Sequence, residues 1–419
     1  MTAAIDQNHI SPFGPVLEDT ARDWDAGLAR RTKALGGGEI TAILALAGAS
    51  DLITFSGGFP DPATFPAQVL ADIAGRLITE DPGVALQYSA TEGIASVRDY
   101  ISGRLAATQS RMPGPGELMI TSGGIDCMEL VAKSYLDAGD AVVVEAPTYL
   151  GAIMAFRGYE ADVRGVPVDG DGLRTDVLAD QLAAGLRPKI LYAIPDFQNP
   201  TGLTMSAPRR SELIELARRY GFLILEDVAY RDLYFEHQPP PSLWSMAPDA
   251  VLQAGTFSKI FCPGVRLGWA AGPAEIISRL VVAKQNSDQC SGALGQRMLE
   301  EYGRSGHMER QILTSRALYA RRAALMRQAL TAHMPEGTSW TTPQGGFYIW
   351  VTTPGGVDTV SLSTAARARK VAYVPGRPFY PGGDGAAQIR LAYSRVADEL
   401  IDEGIHRIGE VLGIALEER

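Results

Sequence analysis

Lysine is scarce in this chain. Only six occur in 419 residues: Lys33, Lys133, Lys189, Lys259, Lys284 and Lys370. Arginine carries the basic surface instead, so a reactive amine has few addresses. Cysteine is scarcer still. Cys127, Cys262 and Cys290 lie far apart, odd in number and without metal-binding spacing. That argues against a disulfide scaffold and for a reducing compartment, the cytoplasm. Two of them read as buried small residues, and Cys262 as either that or a neighbour of a site. No apolar run approaches the roughly 20 residues that span a bilayer, and residues 1–24 hold no apolar core of signal-peptide type. Positive charge is short as well: the formal net charge is -10, which disfavours nucleic acid or an anionic membrane as partner. No internal repeat or low-complexity tract is visible.

What is present is an ordinary globular composition, with enough length for one large domain and one smaller one. Residues 1–38 read as irregular, with a possible helix over 23–33 and a glycine hinge at 36–38. A helix over 39–47 is either a packing helix or a mobile segment over a pocket. From residue 117, strand and helix patterns alternate. Strands are expected at 118–121, 141–145, 161–168, 189–194, 222–225 and 250–254. Helices are expected at 125–136, 176–184 and 207–220. Near-continuous apolar strands between helices predict a mostly parallel sheet covered on both faces, an α/β fold. After residue 272 come helices at 274–285, 294–303 and 308–334. A smaller mixed sheet follows, with strands at 338–341, 346–351 and 388–393.

In open α/β sheets ligands sit beyond the C-terminal strand ends. Four polar clusters fall there: Ser122-Gly123-Gly124, Asn199, Asp227 with Tyr230, and Ser258 with Lys259. Residues 255–268 gather an amine (Lys259), two hydroxyls (Thr256, Ser258) and a guanidinium (Arg266). These suit a cofactor with an aldehyde and a phosphate. A sequestered lysine forms a Schiff base with a carbonyl. A pyridoxal ring also needs a carboxylate at its ring nitrogen. Asp227 is the candidate, unless it only caps a following helix. Gly123-Gly124 opens a helix whose free N–H groups suit a phosphate. Tyr149 either lies on the pyridine face or is a core aromatic. Arg390, inside an otherwise apolar strand, faces either an incoming carboxylate or a structural salt bridge. Gly57 and Gly58, followed by three prolines, form a rigid loop of close backbone approach.

Together these motifs resemble the fold-type I, class I/II aminotransferases that depend on pyridoxal 5′-phosphate, and most of all the 2-aminoadipate and kynurenine branch. The resemblance rests on Gly57-Gly-Phe-Pro60, Gln87-Tyr88 with Gly93, Thr121-Ser-Gly-Gly124, Asn199-Pro-Thr-Gly202 and Glu226-Asp-Val-Ala-Tyr230. It continues through Ser258-Lys259, Arg266-Leu-Gly268, Gly345-Gly-Phe347 and Ile389-Arg390. It implies a large domain (51–315) with a seven-stranded-type sheet, a smaller α+β domain (316–419) and an N-terminal segment (1–50). It implies that Lys259, Asp227 and Tyr149 are catalytic. Ser122, Gly123, Gly124, Ile125, Thr256, Ser258 and Arg266 would bind phosphate, and Asn199 and Tyr230 the phenolic oxygen. Tyr88 would reach the neighbouring subunit's site in a homodimer, while Gly57, Gly58, Asn199 and Arg390 would bind substrate. The implied reaction moves an amino group between an amino acid and a 2-oxo acid. Ile125 departs from the branch in offering only its amide. The helix over 40–46 carries no arginine for a second substrate carboxylate, which favours aromatic or aliphatic substrates. Other chemistry on the same cofactor (β-lyase, racemase, decarboxylase or oxidase) stays open, as does, remotely, an effector-binding regulator.

Overall fold

The computed structural model describes residues 23–33, 38–49 and 51–418. The chain forms two units, residues 1–35 and residues 36–419. In the first, the helix expected over 23–33 is confined to one turn, α1 (Arg30–Lys33). Asp23 explains the loss: its Oδ1 accepts from the backbone N–H groups of Asp25 and Ala26, at 3.1 and 3.2 Å. That local turn competes with helix. The irregular stretch expected before residue 23 and the hinge at 36–37 lie outside the described residues.

The second unit opens with α2 (Gly38–Gly48), β1 (Ile53–Thr54), α3 (Ala67–Glu80), α4 (Pro82–Ala85) and α5 (Ala95–Gln109). The alternating region follows: β2 (Leu118–Thr121), α6 (Gly124–Tyr135), β3 (Ala141–Ala146), α7 (Leu150–Arg157), β4 (Asp162–Asp169), β5 (Gly172–Leu173) and α8 (Thr175–Ala183). It continues with β6 (Ile190–Ala193), α9 (Ala207–Tyr220), β7 (Leu223–Asp227), α10 (Leu243–Met246), β8 (Val251–Thr256) and β9 (Gly268–Ala271). These strands form one sheet in the order β2-β9-β8-β7-β6-β3-β4-β5. Neighbours from β8 to β4 run parallel, and β9 is antiparallel to both of its neighbours. Six of these strands are those read from the sequence, β9 completes the seven that the resemblance implies, and the two-residue β5 adds an eighth, antiparallel to β4. Val142, Val143 and Val144 of β3 are fully buried. Helices cover both faces, which is why the strand reads as an unbroken apolar run.

Strand β9 was not expected. Its sequence, Gly-Trp-Ala-Ala, is poor in β-branched residues. Tertiary fit makes it a strand: a Cβ on Gly255 of β8 would stand 2.1 Å from the Trp269 ring. Only glycine lets that ring lie across the strand pair.

Three long helices come next: α11 (Ala274–Gln285), α12 (Ala293–Arg304) and α13 (His307–His333). After them come β10 (Ser339–Trp340), β11 (Tyr348–Thr352), α14 (Thr359–Ala368), β12 (Val371–Ala372), β13 (Val374–Pro375), β14 (Gln388–Ala392) and α15 (Asp398–Glu417). A second, antiparallel sheet has the order β10-β11-β14-β13. β1 pairs in parallel with β12, and Phe55 exchanges backbone bonds with Ala372 and Ala392. The chain just after β1 is thereby carried against the second sheet and across the end of the first. Among the described residues, no helix is long and apolar enough to cross a membrane.

Candidate active site

The first sheet delivers its polar residues at one edge. β8 ends at Thr256, and Lys259 follows within three residues. The Lys259 amine donates to the Gly58 carbonyl at 3.0 Å. It lies 6.0 Å from the Tyr230 ring centre and 5.8 Å from that of Phe347. Burial lowers its pKa to about 8; Asp227 opposes the shift, while Arg390 and Arg266 reinforce it. An amine that loses its proton so near neutrality is a competent nucleophile and proton carrier.

Asp227 ends β7, the strand beside β8. Tyr192 of β6 donates to its Oδ2 at 2.7 Å, and the Ala229 amide to its Oδ1 at 3.0 Å. Burial raises its pKa against both bonds. A carboxylate so desolvated favours a cationic partner. The capping role that its position allowed belongs to its neighbour. Glu226 accepts from the amides of Leu243 and Trp244 at the start of α10, at 2.7 and 3.0 Å.

An anion cradle stands beside the amine. Gly123 precedes α6 with φ 102°, and the free N–H groups of that helix follow. Arg266, itself at φ 57°, donates to Ser258 Oγ at 3.4 Å and to the Ser122 carbonyl at 3.3 Å. A Cβ on Gly123 would meet Arg266 Nη2 at 2.6 Å. Glycine is therefore demanded twice at that position, by its φ and by the guanidinium. Thr256 donates its hydroxyl to Ser258 Oγ at 3.0 Å.

Arg390 comes from β14 of the second sheet, paired with Trp350 and Val374. It donates to Asn199 Oδ1 at 3.1 Å and to the Ser56 carbonyl at 2.7 Å. Its Nε is buried without a partner. The guanidinium lies 4.5 Å from the Tyr348 ring centre and 4.9 Å from that of Phe379. The salt-bridge alternative is not met: among the described residues Arg390 forms no ion pair, and neither does Arg266. Asn199 is held on a stiff loop. Beneath it, Asp196 is buried between Arg210 and Arg231. Removing one partner of such a buried pair costs about 3–5 kcal/mol.

Twelve of the residues singled out in the sequence line one cavity of about 290 Å³. They are Gly58, Gly124, Ile125, Tyr149, Asn199, Asp227, Tyr230, Thr256, Ser258, Lys259, Arg266 and Arg390. Four others do not line it. Gly57 lies beside it, and Gly123 underlies Arg266. Ser122 turns its hydroxyl to Asp288, 2.7 Å away. Tyr88 is 79% exposed. Sequence reasoning missed Tyr192, Tyr348, Phe379, Phe59, Leu150 and Ile43. Tyr192 carried a signal, a lone hydroxyl in an otherwise apolar strand.

Tyr348 is the most consequential of these. Its hydroxyl lies 3.1 Å from that of Tyr230, and a Cβ on Gly58 would fall 1.9 Å from it. Both tyrosines are buried. Gly58→Ala is therefore expected to lower the unfolding free energy by about 1–3 kcal/mol. Urea denaturation checks this, and an unchanged midpoint would contradict it.

An amine of depressed pKa, a buried carboxylate, an anion cradle and a second arginine without an acid partner define a pocket for a phosphate-bearing aldehyde. The donor set fits pyridoxal 5′-phosphate, with Arg266 available for its phosphate and Asp227 for its ring nitrogen.

The sequence profile of the aminotransferase class I and II family matches residues 50–408, and the chain belongs to that family. It is 36% identical to aromatic-amino-acid aminotransferase 1 of Thermococcus litoralis, over 94% of this chain and 96% of that one. It is also 36% identical to the 2-aminoadipate transaminase of Thermus thermophilus, over 93% and 97%. A crystal structure of Pyrococcus horikoshii kynurenine aminotransferase superposes with a TM-score of 0.90, at 36% identity, covering 94% of this chain and 98% of that one. The protein is a pyridoxal 5′-phosphate-dependent amino-acid aminotransferase of fold type I. Its substrates are amino acids and 2-oxo acids.

Proposed function

We propose that this enzyme transfers amino groups from amino acids with uncharged aromatic or aliphatic side chains to a 2-oxo acid. One observation carries the reading. Of the three cations that line the cavity among the described residues, Lys259 and Arg266 would serve the cofactor, which leaves Arg390 for a substrate. One arginine serves the α-carboxylate. The remaining walls include Ile43, Phe59, Leu150 and Phe379, which offer a side chain apolar contact and no countercharge. Burying an unpaired second carboxylate there would cost several kcal/mol. The relatives named for aromatic amino acids and for kynurenine agree with this preference; the one named for 2-aminoadipate does not.

When bound, the cofactor supplies an aldehyde for the amine and a ring that accepts electron density from the reacting carbon. The chain's residues do the rest. Lys259 would hold the aldehyde carbon until a substrate amine takes its place, and its freed amine would then carry a proton to and from the substrate Cα. Asp227, oriented by Tyr192, keeps the ring nitrogen protonated. Asn199 and Tyr230 donate to the phenolic oxygen, and Tyr149 covers the ring. Gly124, Ile125, Thr256, Ser258 and Arg266 bind the phosphate. Ser122 supports this cradle from outside. Arg390 and Asn199 orient the α-carboxylate, with Gly57 and Gly58 at the border of the site.

This reading includes a homodimer in which Tyr88 of one protomer reaches its partner's site. The exposure of the Tyr88 and Leu86 side chains, 79% and 60%, supports it. It also includes a division near residue 315, with residues 53–59 on the smaller side, and a cytoplasmic location, which three cysteines without a disulfide support.

The test is a comparison of kcat/KM for phenylalanine, leucine and kynurenine with that for 2-aminoadipate, with alanine formation from pyruvate as readout. The neutral substrates are expected to lead by about tenfold or more, the worth of one unpaired charge at 1.4 kcal/mol or above. A lead for 2-aminoadipate would overturn the preference. No amino transfer from any donor to pyruvate or to 2-oxoglutarate would overturn this donor–acceptor assignment.

A further inference from the structure

Lys284, on α11, is fully buried and lies outside the cavity. Its amine donates to Asp288 Oδ2 at 2.7 Å, to Asp126 Oδ2 at 2.9 Å and to Ser122 Oγ at 3.2 Å. These partners lie on three segments: the loop after α11, the first turn of α6, and the turn between β2 and α6. The exchange is mutual. Lys133 of α6 donates to the carbonyls of Ala283 and Asn286, each at 3.2 Å, and to Ser287 Oγ at 2.8 Å, at the end of α11.

The Lys284 side of this cluster converges on Ser122. Its N–H donates to Asp126 Oδ2 at 2.7 Å. Its hydroxyl meets Lys284, Asp288 and, at 3.1 Å, Ser291. Its carbonyl accepts from Arg266 Nη2 at 3.3 Å. Every polar group of Ser122 is thus fixed, and the next two residues are the glycines of the anion cradle. Burying an ammonium costs several kcal/mol even when it is paired. Packing alone would be served as well by an apolar side chain of similar volume. A charged cluster at this place has a geometric use, because an anion site gains most when its donors are already aimed.

We propose that Lys284 is a positioning residue: it locks the 122–124 turn so that the α6 amides and Arg266 converge on one anion. The proposal deepens the reading of the cavity as a pyridoxal 5′-phosphate site and rests on it. The anion is then the cofactor's phosphate.

The test titrates cofactor-free protein with pyridoxal 5′-phosphate and with pyridoxal, which lacks the phosphate, following absorbance and intrinsic fluorescence. The ratio of the two dissociation constants isolates the phosphate site. Lys284→Met is expected to weaken pyridoxal 5′-phosphate binding by about tenfold, the scale on which partners behind a binding group act. Pyridoxal binding is expected to change by less than about twofold, and Lys284→Arg to restore part of the ratio. An unchanged ratio, or equal losses for both ligands, would overturn the proposal. If Lys284→Met does not fold, as judged by circular dichroism, Ser122→Ala reads the same ratio with Lys284 still paired to both carboxylates. A fall of about threefold is expected there, and no fall would overturn the proposal. Failure of the pocket reading looks different: the unmodified protein itself would show no preference for the phosphorylated ligand.

Discussion

Lys259→Ala yields a folded protein that no longer transfers amino groups, with turnover reduced by about a thousandfold or more. The size follows from the position. Among the described residues no other lysine lines the cavity, so no second amine there can hold the aldehyde carbon or carry the proton. The fold survives for an equally local reason. Among the described residues, the Lys259 amine makes no hydrogen bond apart from that to the Gly58 carbonyl. Its burial opposes its charge, as the depressed pKa of about 8 records. Removing it therefore relieves a desolvated cation rather than breaking a network. Single-turnover assays with a reactive amino donor, beside a thermal melt of the cofactor-free variant, check both halves. Residual turnover within tenfold of the unmodified enzyme would refute the assignment.

The second large effect is at Asp227, and it has two parts of opposite sign. Asp227→Asn is expected to lower turnover by about a hundredfold or more, because an amide cannot hold a proton on the ring nitrogen. The same change should leave the cofactor-free protein no less stable. Burial pushes the Asp227 carboxyl above its ordinary pKa although two hydrogen bonds oppose the shift. The unliganded site therefore bears an uncompensated desolvation cost that asparagine, of nearly equal shape, removes. The sign of the pH dependence follows. A raised folded-state pKa means that protonation favours the folded state, so this carboxyl contributes less stability as the pH rises through its folded value. The advantage of Asp227→Asn should accordingly grow as the pH rises from the ordinary carboxylate value of 3.8 through the raised folded-state value. Thermal melts of both cofactor-free proteins across that range measure it. A melting point below that of the unmodified protein at neutral pH would show that Asp227 is a structural residue.

These effects sort what the sequence reveals from what it hides. Lys259 and Asp227 are legible because each is a charge placed where a strand runs out, in segments otherwise apolar. Arg390 is legible because it is a lone charge inside an otherwise apolar strand. The alternating apolar runs give the sheet, because strands covered on both faces leave a continuous signature. Strand β9 leaves none, since its glycine and alanines answer to the Trp269 ring rather than to β-propensity. Tyr348 is hidden for a different reason. It sits in an apolar strand as any core aromatic would, and only the meeting of two sheets brings its hydroxyl to Tyr230. Ser122 shows the limit of motif reading. Its place at the turn is visible, but the direction of its hydroxyl depends on Lys284, 162 positions further along the chain.

The proposed chemistry turns on one covalent attachment, and the most direct test is to trap it. Protein loaded with pyridoxal 5′-phosphate is treated with borohydride, digested and mapped by mass spectrometry. The expected result is one cofactor adduct per chain, on the peptide that holds Lys259. An adduct confined to any other lysine, or none after reduction, would contradict the assignment of this pocket as the catalytic centre.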